Sequence, residues 1–269
     1  MKGGRCTSLI LLLNTNTCSH LISNNLFNFF AKKPVYVPGY FPITTDMHSH
    51  ILPGIDDGAA DVETSIELVK GLKKLGIHQS IATPHVISDL YRNTPETIGV
   101  ALKKLQDALA AEAIDFTVSA AAEYMLDSYF FELIEKEVPL LTLRDNLILT
   151  EFSFGFMPDN PKKMSFNMIT SGYSPILAHP ERYAYYHDNY KNFHLLQELG
   201  FLLQVNLLSL TGYYGVPVAK AAKYIIQNGL ASFVGTDLHH ERHMAALQDA
   251  GNQKIFSEVF KGEQWNEGL

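Results

Sequence analysis

The chain has 269 residues, 46% hydrophobic and 18% charged, which is enough for one α/β domain with its own core and too apolar for a disordered chain. A formal net charge of -7 without a dense Lys/Arg run leaves no footprint for nucleic-acid binding, although divalent ions held by some of the acids would still admit an anionic substrate. The only cysteines, Cys6 and Cys18, exclude a disulfide framework, a cysteine-rich zinc site and a cysteine-dependent phosphatase, because the positions where the last needs an arginine hold Leu12 and Asn24.

Residues 1–40 read as a leader outside the domain, which is expected over 41–269. The apolar run at 8–13 is short and no clean small-residue cleavage site follows it, so a disordered leader is favoured over a signal peptide. No stretch approaches the roughly 20 apolar residues of a spanning helix, which argues against stable membrane insertion.

After Pro34 and Pro38-Gly39, residues 43–48 read as a first strand. Apolar residues at Val62, Ile66, Val69, Leu72 and Leu75 predict a helix over 61–75, closed by Gly76. A strand over 79–83 leads into Thr83-Pro84-His85, and Thr94-Pro95 opens a helix running to 113. Strands follow over 116–123, 146–151, 174–179, 201–206 and 231–237, and helices over 127–137, 161–171, 189–199, 216–228 and 242–250. Seven strand–helix repeats with apolar strands predict a parallel α/β barrel, covered on the outside by helices.

The polar residues of these strands gather at one end. His48/His50, His85, Glu123, Glu151, His179, Asn206 and Asp237/His239 each fall at or just past the C-terminal end of an expected strand, the end that carries the active site in α/β barrels. His48 and His50 stand two apart, so a strand turns both to one face and lets them converge on one ion. Taken singly, each could be a hydrogen-bonded loop residue. Taken together they place unpaired charges at successive strand ends inside apolar stretches, an arrangement that a polynuclear metal site explains and independent accidents do not. Nitrogen and oxygen donors without sulfur suit manganese, iron or zinc, and the set is too large for one ion.

The segments Asp46-Met47-His48-Ser49-His50 through Asp56-Asp57-Gly58, Thr83-Pro84-His85, Ala122-Glu123-Tyr124, Thr150-Glu151-Phe152, His179-Pro180-Glu181-Arg182 and Thr236-Asp237-Leu238-His239 together resemble the polymerase-and-histidinol-phosphatase (PHP) superfamily. Within it they are most similar to the manganese-dependent tyrosine-protein phosphatases of bacterial capsule and exopolysaccharide operons, the CpsB/YwqE type. The resemblance covers residues 44–250 and implies a distorted seven-stranded (β/α) TIM-like barrel holding three divalent ions, manganese foremost, with iron or zinc open. By motif it implies His48, His50, Glu123 and Asp237 at a first ion, Glu151 and His179 with the bridging Glu123 at a second, and Asp57, His85 and His239 at a third. Asp56 is left to position the loop or a ligand from behind. Arg182 is implied in phosphate binding, a role that its planar, permanently charged fork suits. Arg182, His239 and Asp57 are the catalytic candidates, and Arg182, Tyr183 and Arg242 the substrate contacts, with His240 a weaker candidate.

The implied reaction is hydrolysis of a phosphomonoester by metal-activated water, in the cytoplasm, on the phosphotyrosine tail of a bacterial tyrosine kinase, with homo-oligomerisation left open. An aromatic rim is expected from Tyr183, Tyr185, Tyr186 and Tyr190 and from the loop at 210–215. The alternatives are a histidinol-phosphate or other small-molecule phosphatase of the same superfamily, a metal amidohydrolase, disfavoured because no lysine stands at any strand end, and a PHP-type exonuclease, which the charge does not support. A non-catalytic metal-binding scaffold would have lost one or more ligands, and every position is filled.

Overall fold

In the computed structural model the first strand of the described residues, 40–269, is β1 (Thr45–Ser49), buried from Asp46 onward. The leader expected over 1–40 lies, Tyr40 apart, outside the described residues. Helix α1 (Val62–Lys74) begins where the Asp61 side chain accepts from Thr64 N, and it carries Glu63 in its first turn and Lys73 and Lys74 in its last, each sign at the favourable end of the helix dipole. Its Ile66, Val69 and Leu72 are buried, one apolar stripe turned to the core.

The second expected strand is followed by a further short one, and the third divides. β2 (Gln79–Ala82) passes Thr83-Pro84 and resumes as β3 (His85–Ile87), which pairs antiparallel with the short β4 (Tyr91–Arg92). After α2 (Pro95–Ala111), opened by a reciprocal Thr94/Thr97 cap, come β5 (Thr117–Ala120) and β6 (Glu123–Met125). Pro84 has no N–H to donate, and the ladder changes sheets there. Helices α3 (Ser128–Glu135), α4 (Pro161–Thr170), α5 (Lys191–Glu198) and α6 (Val216–Gln227) alternate with β7 (Leu147–Glu151), β8 (Ser174–Ala178), β9 (Leu202–Asn206) and β10 (Ala231–Gly235). The last expected helix is α7 (Glu241–Gln248); it ends at Asp249, whose side chain accepts from Asn252 N and starts a further helix, α8 (Ala250–Phe260).

Two sheets result, one with the order β1-β2-β5 and one with β10-β9-β8-β7-β6-β3-β4. Apart from β3–β4 every pairing is parallel. Ala121 N donates to Ala82 O at 2.8 Å and Glu123 N to Pro84 O at 3.1 Å across the break, while His50 N to Leu238 O and Asp237 N to His48 O, each 2.8 Å, link the first strand to the last. Buried Asp46 strengthens that seam by accepting from Thr236 N at 3.0 Å and from the Thr236 hydroxyl. The seven strand positions therefore follow one another around a distorted ring. Met47, Ile81, Leu149 and Ile176, from strands on different sides of it, pack together and fill its interior, whereas the larger apolar cluster joins the strands to the helices.

Candidate metal centre

The strand ends deliver His48 on β1 with His50 just past it, His85 at the start of β3, Glu123 at the start of β6, Glu151 at the end of β7, His179 after β8, and Asp237 and His239 after β10. Asp57 comes from the loop between β1 and α1. That loop folds back tightly enough that a Cβ on Gly58 would lie 2.0 Å from His50 O, so only glycine fits. His179 and Asp237 hold left-handed backbone angles, φ 36° and 51°, which are costly for residues with a Cβ and common at functional sites.

These nine side chains form one cluster. His48 Nε2 and His50 Nε2 are 3.3 Å apart, with Glu123 Oε2 at 3.1 Å from the first and 3.3 Å from the second. His85 Nδ1 is 3.2 Å from Glu123 Oε2 and 3.1 Å from Glu151 Oε1, and His179 Nε2 is 3.1 Å from Glu123 Oε1. Potential ligand atoms gather in four overlapping sets: His50, Asp57, His85 and His239; His48, His50 and Glu123; His48, His179 and Asp237; and His85, Glu123 and Glu151. The partition differs from the motif-based one in placing His179 beside His48 and Asp237, and His85 beside Glu151.

Behind the cluster, hydrogen bonds fix the tautomers. His48 Nδ1 donates to Gln204 Oε1 at 2.9 Å, His50 Nδ1 to Asp56 Oδ2 at 2.8 Å and His239 Nδ1 to Asp237 O at 2.9 Å, which turns each Nε2 toward the centre. Asp56 also accepts from Gly58 N at 2.9 Å and so holds both the loop and a ligand. Gln204 in turn donates to Asn206, and Asn206 to Asp237 Oδ2 at 2.7 Å.

The electrostatics call for cations. Burial disfavours charge on His48, yet Glu123 and Asp237 overcome it and lift that imidazole to about 9. Burial alone would raise the Glu123 carboxyl, but His48 and His85 hold it well below its ordinary range. Glu151 goes the other way, pushed up by burial and then by the charge of Glu123. His179 Nδ1 is buried without a hydrogen-bond partner, and His85 Nδ1, Glu123 Oε2 and Glu151 Oε1 are buried and meet only other residues of the cluster, without hydrogen-bond geometry. Orphaned donors and acceptors of this kind, packed with like charges, fit divalent metal ions.

A cavity of about 280 Å³ opens over the cluster, lined by Asp57, His85, Glu151, His179, Asp237 and His239 together with Phe154, Arg182, Tyr214, His240 and His243. Arg182 Nη1 donates to Asp237 Oδ2 at 2.7 Å, and the guanidinium carbon sits 4.8 Å from the Phe154 ring centre and 4.4 Å from that of Tyr214. The expected substrate contacts fare unequally. Arg182 is in the wall. Tyr183 is fully buried, its hydroxyl accepting from Phe152 N and donating to Ala178 O, so it packs beneath the site. Arg242 is exposed on α7 and does not line the cavity. Tyr183 and Tyr185 stack, Tyr186 meets both edge-on, and Tyr190 packs on Phe193 and Tyr224. From the 210–215 loop Tyr214 reaches the cavity. Phe154, Gln204 and His243 went unnoticed in the sequence; only Phe154, three residues past Glu151 in an apolar loop, carried a signal.

A ring of parallel strands with an imidazole–carboxylate cluster on its C-terminal rim is the arrangement of a metal-dependent α/β-barrel enzyme. A solved amidohydrolase from Mycoplasma synoviae shares this fold, with a TM-score of 0.53 at 14% identity, covering 83% of this chain and 85% of that one. Residues 44–257 match the family model for capsular polysaccharide synthesis, CpsB/CapC, and the chain belongs to that family. It is 33% identical over 196 residues to the tyrosine-protein phosphatase YwqE of Bacillus subtilis, 72% of this chain and 77% of the relative. The crystal structures of YwqE from Bacillus subtilis and CpsB from Streptococcus pneumoniae, described as metal-dependent tyrosine phosphatases, include a chain similar to this one with a TM-score of 0.72 at 30% identity, covering 81% of this chain and 86% of that one.

Proposed function

We infer that this chain is a metal-dependent tyrosine-protein phosphatase. The observation that carries the reading is the single cluster of His48, His50, Asp57, His85, Glu123, Glu151, His179, Asp237 and His239 under a cavity walled by Arg182. Three divalent ions, manganese first, would be held by His48, His50, Glu123 and Asp237; by Glu123, Glu151 and His179; and by Asp57, His85 and His239. When bound they supply Lewis acidity and activate water for attack on phosphorus.

The chain's own residues do the rest. Arg182, braced by Asp237 and sandwiched between two aromatic rings, keeps guanidinium N–H groups for two phosphoryl oxygens and stays charged throughout, which suits a transition state stabilised mainly by position and charge. Phenolate leaves readily, so the demand on a proton donor is small; His240, in the cavity wall, is placed to meet it. The substrate in this reading is the phosphotyrosine tail of a bacterial tyrosine kinase of capsule or exopolysaccharide synthesis, in the cytoplasm. Among the described residues no helix is long and apolar enough to cross a membrane.

Metal-stripped protein should be inactive on a phosphotyrosine peptide and recover best with manganese, ahead of iron and zinc. His179→Ala should lose about a thousandfold in kcat/KM and Arg182→Ala about a hundredfold. Full activity in stripped protein or in His179→Ala would overturn the mechanism, and faster turnover of histidinol phosphate than of the peptide would replace the substrate.

A further inference from the structure

The loop after Glu151 turns large apolar side chains to solvent beside a polar cavity: Phe154 is 45% exposed, Phe156 71% and Met157 47%. Its two ends are held. Tyr185 donates to Ser153 O at 3.0 Å on one side, and Pro158 is buried on the other. Exposed apolar residues in series on a tethered loop at the mouth of a site mark a binding surface.

The geometry says what such a surface would bind. The Phe154 ring stacks on His179 at 5.4 Å between centres with planes 24° apart, and the Arg182 guanidinium carbon lies over it, 4.8 Å from the ring centre. A phosphoryl group seated on Arg182 thus has Phe154 as its neighbouring apolar wall. Phosphotyrosine carries an aromatic ring one oxygen away from phosphorus that can pack against the exposed part of Phe154, 45% of its surface; an alkyl phosphate has no such ring. We propose that Phe154 is the aryl-selecting wall of the site and that Phe156 and Met157 extend it as a lip for the peptide flanking a phosphotyrosine. The inference rests on the phosphatase reading and adds its specificity.

The test is steady-state kinetics of the metal-replete full chain on a phosphotyrosine peptide, 4-nitrophenyl phosphate and phosphoserine. Phe154→Leu should lower kcat/KM for both aryl esters about three- to tenfold more than for the alkyl ester, and Phe154→Trp should restore the preference. Phe156→Ser with Met157→Ser, both at exposed positions that folding does not depend on, should slow the peptide about three- to tenfold more than 4-nitrophenyl phosphate. Equal losses on all three esters in Phe154→Leu, or an unchanged peptide preference in the double variant, overturn the proposal while leaving the phosphatase reading intact. A wild-type chain that hydrolyses none of the esters overturns both.

Discussion

In the buried wall of the cluster, His48, His50, Glu123 and Asp237 are out of water, and the ring nitrogens of His48 and His50 that face away from the centre are bonded to Gln204 and Asp56. On the side of the loop after β7, Phe154, Phe156 and Met157 are exposed, and Phe154 rests on the rings of His179 and Tyr183. The first wall has to hold charges out of water, which only paired and over-determined groups can do. The second is freed from that demand and can follow the shape of the substrate. Chemistry and selectivity are thereby assigned to separate stretches of chain.

Breaking the buried wall should have the largest effect. Glu123 touches His48, His50, His85 and His179, so Glu123→Ala should abolish phosphatase activity, by about a thousandfold or more in kcat, and leave fewer equivalents of metal bound by elemental analysis. Chelation should lower the melting temperature of the wild type by roughly 5–15 °C, since ions that bind only the folded chain stabilise it by mass action, and manganese should restore it. An unchanged melt after verified metal removal would contradict the site. Gln204→Leu removes a partner of His48 without removing a ligand, so activity should fall about 10- to 100-fold, partly recovered by excess manganese. Substitutions in the exposed wall come last, with melting temperatures within about 1–2 °C of the wild type and the effect confined to substrate preference.

The same division explains what could be read from the sequence. Ligand residues at strand ends announce themselves because a His or Glu stands out against Leu149-Thr150 or Ile176-Leu177-Ala178, and the strand–helix rhythm places all of them on one rim. The breaks at Pro84 and at Ala121-Ala122 were hidden, because β2 and β5 look continuous until the ring has to distort around its contents. Helix α8 was missed although Asp249 offers a cap and Ile255, Phe256, Val259 and Phe260 repeat with a helical period. Gln204 and Tyr183 illustrate the deeper limit: one proves to orient a ligand and the other to be core, a distinction set by distances across the ring that local pattern does not encode.

His179 holds a backbone conformation that disfavours any residue with a Cβ by roughly 1–2 kcal/mol. Glycine would relieve that strain, and its greater freedom in the unfolded chain, about 0.4–1 kcal/mol, would offset only part of the gain. His179→Gly should therefore fold more stably than His179→Ala, by about 0.5–1 kcal/mol in denaturant titration, while both remain inactive. Such a result would mean that selection has kept this position below its attainable stability for the sake of turnover, a trade-off written into a single peptide unit.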